Sequence, residues 1–152
     1  MEDSKQLENA ARIFATKLVH CVMRKDIPTW IPEPAVEDDD IFPDFMQTEI
    51  ESICEEESIA FLCEFRQSFF ESEKTNETFN KFCSRMSSII QHQEVQFETF
   101  LNYAARLAKT STYIYEDVVE APNIAIGHIT NVIVTRYPYL VKKIQMGSVT
   151  KS

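Results

Sequence analysis

A chain of 152 residues with a formal charge of −9 and only two glycines is long enough to bury a core without disulfide or metal staples. Gly127 and Gly147 are too few for a phosphate-cradling loop, a dinucleotide-binding turn or a meander of tight hairpins, all of which need residues at positive φ. Residues 1–80 carry 7 Lys+Arg and 19 Asp+Glu, a net of −12, and residues 81–152 carry 8 and 5, a net of +3, which argues against a nucleic-acid partner because most of the surface would repel phosphate.

Taken in chain order, the residues read as helices. Asp3-Ser4-Lys5-Gln6 has the form of a capping box, and behind it Leu7, Ala11, Phe14, Leu18 and Cys21 or Val22 recur every three or four residues. This first helix is expected to end near Lys25, before Ile27-Pro28. Residues 28–44 hold Pro28, Pro32, Pro34 and Pro43 together with the acidic run Glu37–Asp40, so a long flexible loop is expected there. Thr48-Glu49-Ile50-Glu51 reads as a second capping box. After it come Ile50, Ile53/Cys54, Phe61/Leu62, Phe65 and Phe69, interrupted by Glu55–Glu57; one bent helix or two separate ones fit equally. Phe61, Phe65 and Phe69, spaced by four, share a face.

A further helix is expected after Thr75-Asn76, with Phe79, Phe82/Cys83, Met86 and Ile89/Ile90 inward. Polar Gln91–Glu94 joins it to Val95–Lys109, VQFETFLNYAARLAK, which is apolar on most faces. A helix of that kind is buried on most sides and the rest of the chain wraps around it. Pro122 suits a first helical position. Ile124–Thr135 has the Ile, Val and Thr content of a strand, but Ile126, Ile129 and Ile133 fall on one helical face and a lone strand does not persist; a helix is expected. Tyr137-Pro138 ends it, and Tyr139–Gln145 fits a short last helix. The expected fold class is all-α: six or seven helices around a buried central one, in a single domain spanning residues 1–152.

Four cysteines (Cys21, Cys54, Cys63, Cys83) form no C-x-x-C pair, and the charged Met1–Gln6 is unlike a signal peptide. Free, mostly buried thiols in a reducing, cytoplasmic setting are expected. No apolar run is long enough to span a bilayer. His20, His92 and His128 lack metal-ligand spacing, and neither a nucleophile elbow nor a triad is present, so neither an enzyme nor a cofactor is expected.

The order and spacing of these segments resemble the Bcl-2 family of apoptosis regulators over about Leu7–Gly147, and most of all its compact viral members. Leu7–Trp30 resembles the opening helix. Phe61-x-x-x-Phe65-x-x-x-Phe69 resembles the aromatic run of the second and third helices, Thr78–Met86 the fourth and Val95–Thr112 the buried fifth. Ile129–Ile144, ITNVIVTRYPYLVKKI, is the best local match. The resemblance implies an anti-apoptotic protein that sequesters pro-apoptotic host proteins by holding their Bcl-2 homology-3 helix in a groove. It places the groove among Phe61, Phe65, Phe69, Phe82, Met86, Ile89, Phe97, Glu98, Thr99, Leu101 and Asn102.

One departure bears on function. Where the family has Asn-Trp-Gly-Arg, this chain has Gln96-Phe97-Glu98-Thr99. Phe97 keeps the aromatic, but Glu98 replaces the glycine that lets a ligand approach, and Thr99 replaces the arginine that pairs with the ligand's aspartate. A narrow ligand range follows. After Met146 only GSVTKS remains, without the membrane anchor common in the family, whether that anchor never existed or was removed; recruitment to the mitochondrial surface is expected to come through partners. Two other readings stand beside this one: a viral scaffold of the same fold acting in innate immune signalling, through a homodimer or another protein interface, and an unrelated helical structural protein.

Overall fold

In the computed structural model, which describes residues 2–32 and 42–141 (side chains from Ser4 onward), every regular element is a helix. The first, α1 (Glu2–Asp26), buries Ala11, Phe14, Leu18 and Val22 along one stripe. It already contains Glu2, so the expected cap at Asp3 is corrected: that residue lies in the first turn. Ala10, Ala11 and Ala15 are almost fully buried, and their small size allows the close packing of α1 on α6 (Ala121–Arg136). After α1 the chain turns through a Trp30 N–H to Ile27 C=O bond of 3.1 Å, and Trp30 meets the His20 ring edge-on at 5.8 Å.

Of the long loop, residues 33–41 lie outside the described residues; Pro32 before them and Phe42 after them are both buried. The next helix, α2 (Asp44–Glu56), starts directly behind Pro43 at φ −68°, the ring's own preferred angle. The capping box expected at Thr48 is therefore corrected. Thr48 sits inside α2, and its hydroxyl donates back to the Asp44 carbonyl at 3.1 Å. Glu57 separates α2 from α3 (Ser58–Ser68), so the Glu55–Glu57 interruption divides two helices.

Thr75 caps α4 (Asn76–Gln91): its hydroxyl accepts from the Thr78 N–H at 3.1 Å, and the Thr78 hydroxyl accepts from the Thr75 N–H at 2.9 Å. The central helix, α5 (Phe97–Ile114), outruns Val95–Lys109 by more than a turn at its C-terminal end, and Ser111 and Ile114 there are fully buried. In α6 the residues with strand propensity are helical, and Ile126, Ile129 and Ile133 all face the core. Burial on α1, α4 and α5 decides the matter against intrinsic propensity. A last helical stretch begins at Tyr139 and runs to the end of the described residues at Val141.

One continuous apolar cluster draws on every helix, and α5 packs against all five others. It is not sheathed evenly. Thr99, Asn102, Arg106, Lys109 and Tyr113 follow one another by three or four residues and are all only partly buried, which makes a polar seam along an otherwise enclosed helix.

Candidate functional site

The α5 seam opens into a cleft of about 250 Å³ beside α4. Met86, Ile89 and Ile90 of α4 form its apolar wall; Thr99, Asn102, Tyr103 and Arg106 of α5, with Gln93 from the connecting corner, form the polar side. Four residues expected at the groove, Met86, Ile89, Thr99 and Asn102, are thus brought together. Ile89 is 48 % exposed at the rim. The corner is held by the Arg136 guanidinium on the Gln93 carbonyl and by Gln91 Nε2 donating to Thr135 Oγ1 at 2.8 Å.

The aromatic residues expected in the groove do not line this cleft. Phe61, Phe82 and Leu101 are 1–2 % exposed and belong to the core. Phe65 meets Tyr113 at 5.6 Å and Phe69 at 5.2 Å, and Phe69 meets Phe82 at 5.7 Å. This chain of rings joins the end of α3 to α5 and α4. Phe97 is half-buried against the core and Glu98 is exposed; neither lines the cleft.

Arg106 was not anticipated. It stands two turns beyond Thr99 on the same face, a placement that the i, i+3, i+7 spacing of Thr99, Asn102 and Arg106 could have revealed. Its Nε is 3.0 Å from Glu64 Oε1 of α3, with both side chains 32 % exposed. The two atoms are buried yet form no hydrogen bond of acceptable angle, so the contact is an ion pair with poor directionality. The guanidinium carbon lies 5.5 Å from the centre of the Phe61 ring, and Nη1 reaches the Met86 sulfur at 3.9 Å. Arg106 therefore spans from α3 to α4.

A polar chain runs from the cleft past the buried Ser87 to the exposed Asn80. Tyr103 Oη is 2.6 Å from Ser87 Oγ, Ser87 Oγ is 3.4 Å from His128 Nδ1, and His128 Nε2 is 2.8 Å from Asn80 Oδ1. With Nε2–H donating to Asn80, Nδ1 is left to accept from Ser87, and Ser87 accepts from Tyr103. Burial holds the His128 pKa below its ordinary value and pushes that of Tyr103 well above, so both groups are neutral here at neutral pH.

Two other depressions are present. One of about 350 Å³ continues the seam past α3, lined by Ile59, Leu62, Lys109 and Tyr113 among others. There Lys109 donates to Asp26 Oδ2 at 2.7 Å; burial lowers its pKa, but the Asp26 bond and charge outweigh that and raise it. The larger, about 410 Å³, lies between α1 and the start of α2 with Lys17, His20, Arg24, Phe42 and Asp44 on its walls. The α4–α5 cleft and the Lys109 depression both set apolar side chains beside a cation, and of the two the α4–α5 cleft is the one lined by residues expected at the groove. Among the described residues no three His, Cys, Asp or Glu side chains gather as a metal site, and no helix is long and apolar enough to cross a membrane. Comparison of the chain with protein-family models, with curated proteins and with solved structures gives no match.

Proposed function

We propose that this protein is an anti-apoptotic, Bcl-2-like binder of homology-3 helices, and that the ligand helix lies along the α4–α5 cleft. The observation that carries the reading is the cleft itself: Met86, Ile89 and Ile90 on one side and the half-buried polar seam of α5 on the other. An amphipathic helix presents apolar anchors and a polar edge at the same spacing. The small volume, with the aromatic run packed shut, supports a narrow ligand range. Calorimetric titration with a panel of pro-apoptotic homology-3 peptides tests the reading. At least one peptide binds the wild-type chain, and Ile89→Asp weakens it by about tenfold or more. A folded protein that binds none of the panel sinks the proposal.

A second reading rests on the rings that join the end of α3 to α4. A bundle with Phe65, Phe69 and Phe82 packed together has less need of a helical ligand and suits a scaffold in innate immune signalling, where a homodimer or partner face does the binding. Sedimentation separates the two: self-association unaffected by any homology-3 peptide favours the scaffold.

A further inference from the structure

Tyr103 belongs to two structures at once: it lines the α4–α5 cleft, and its hydroxyl ends the polar chain that runs through Ser87 to His128. Among the described residues Ser87 is its single hydrogen-bond partner. With the histidine ring neutral, each bond of the chain has a direction. Tyr103 donates to Ser87, Ser87 donates to His128 Nδ1, and His128 Nε2–H donates to Asn80 Oδ1. A proton added to this ring goes to Nδ1, which then turns from acceptor to donor. Ser87 Oγ accepts from it, and the serine hydrogen turns to the Tyr103 oxygen. The Tyr103 hydrogen thereby loses its one protein acceptor, and the cleft borders the ring that carries it. A buried donor left without a partner is costly, so an acceptor offered from the cleft is favoured.

We propose that His128 is a proton-operated switch for the cleft: protonation reverses the hydrogen bonds along Ser87 and releases the Tyr103 hydroxyl hydrogen to an acceptor lying against α4 and α5. The three residues come from α6, α4 and α5, so the chain links a helix that does not line the cleft to the two that do. His128 is half-buried beside the exposed Asn80, which lets a solvent proton reach it from the side away from Tyr103. Burial is the sole cause of its lowered pKa, so no charged side chain of α1, α4 or α5 among the described residues acts on the ring. The titratable groups at the far end of the chain, Tyr103 and Cys83, are both held neutral by burial. No counter-charge therefore absorbs the added proton, and the hydrogen bonds must respond. The reversal is independent of what occupies the cleft; its effect on a homology-3 helix rests on the reading above. By linkage, a ligand that accepts from Tyr103 binds more tightly as pH falls and raises the His128 pKa in the complex.

The test has one arm without a ligand and one with. In the first, tyrosine is isotope-labelled at the ring carbon that bears the hydroxyl, and nuclear magnetic resonance follows it between about pH 7.5 and 5; Tyr103→Phe assigns the signal. In the wild type the Tyr103 signal should shift with the midpoint of the His128 ring. In Ser87→Ala the ring should still titrate while Tyr103 stays still, and in His128→Gln Tyr103 should not respond to pH. Circular dichroism first shows that each variant is folded at both ends of the range, and either variant alone decides the point. A Tyr103 signal that ignores pH in the wild type, or follows it as strongly in Ser87→Ala, overturns the switch. In the second arm, the homology-3 peptides are titrated calorimetrically at both pH values. The wild type should tighten toward low pH by about fivefold more than His128→Gln, the worth of one hydrogen bond. Equal pH dependence in the two proteins overturns the coupling and leaves the cleft reading intact. Failure of every peptide to bind sinks the cleft reading, and the tyrosine signal then decides the switch by itself.

Discussion

At the scale of single residues, His128 carries a pH dependence whose sign follows from its surroundings. The ring is held between Asn80 and Ser87, and burial lowers its pKa from the ordinary 6.5. The unfolded chain then binds more protons than the folded one between the folded value and 6.5, so stability rises with pH across that window. The His128 contribution is intact above 6.5, declines as pH falls through the folded pKa and is constant below it. His20 shifts the same way, through burial and then the Arg24 charge, so replacing His128 reduces the dependence without abolishing it. Thermal melts between about pH 7.5 and 5 should show a shallower loss for His128→Gln than for the wild type. An unchanged slope would mean that the ring titrates as if free. None of this was legible in the sequence: His128 has no patterned partners nearby, and its contacts with Asn80 and Ser87 span 48 and 41 residues.

At the scale of elements, two threonines that look alike in the sequence do different work. Thr75 is a true N-cap with a reciprocal bond to Thr78, whereas Thr48 lies within α2 and returns its hydroxyl to the Asp44 carbonyl. Urea unfolding should show Thr75→Ala losing about 1 kcal/mol and Thr48→Ala less than about 0.5 kcal/mol. Equal losses would place the start of α2 at Thr48 after all. The comparison shows why helix existence was legible and helix starts were not. Apolar spacing repeats over many residues, but a cap is a single polar residue, and Pro43 offers the chain an earlier start. The aromatic run carries the same lesson for the site. Spacing put Phe61, Phe65 and Phe69 on one face; whether that face bounds a groove or fills it depends on helices distant in the chain.

At the scale of the whole molecule, the prominence of VQFETFLNYAARLAK in the sequence corresponds to a helix that meets every other helix. Its keystone is Phe100, fully buried and in ring contact with Phe14 at 6.3 Å, Tyr103 at 6.4 Å and Tyr137 at 5.2 Å. Phe100→Ala should cost about 3–5 kcal/mol, and Phe70→Ala, 74 % exposed, no more than about 0.5 kcal/mol; chemical denaturation of the two variants measures the difference. A small loss at Phe100 would mean that the core closes around the missing ring. The seam on this helix was half visible: Thr99 and Asn102 were expected at the groove, while Arg106 and Lys109 carried no signal of their own in the sequence.

The seam also bears on the order in which the fold assembles. Arg106 and Lys109, one turn apart, take their counter-charges from Glu64 and Asp26, so each pair joins the acidic first half of the chain to the basic second half. Lys109 and Asp26 are 83 residues apart, and contacts of such separation bear a loop-closure cost that local helix formation does not. They close after the bundle has collapsed, as fasteners rather than nuclei. Salt that screens them should then speed the opening of the finished structure and leave the rate of its formation almost unchanged.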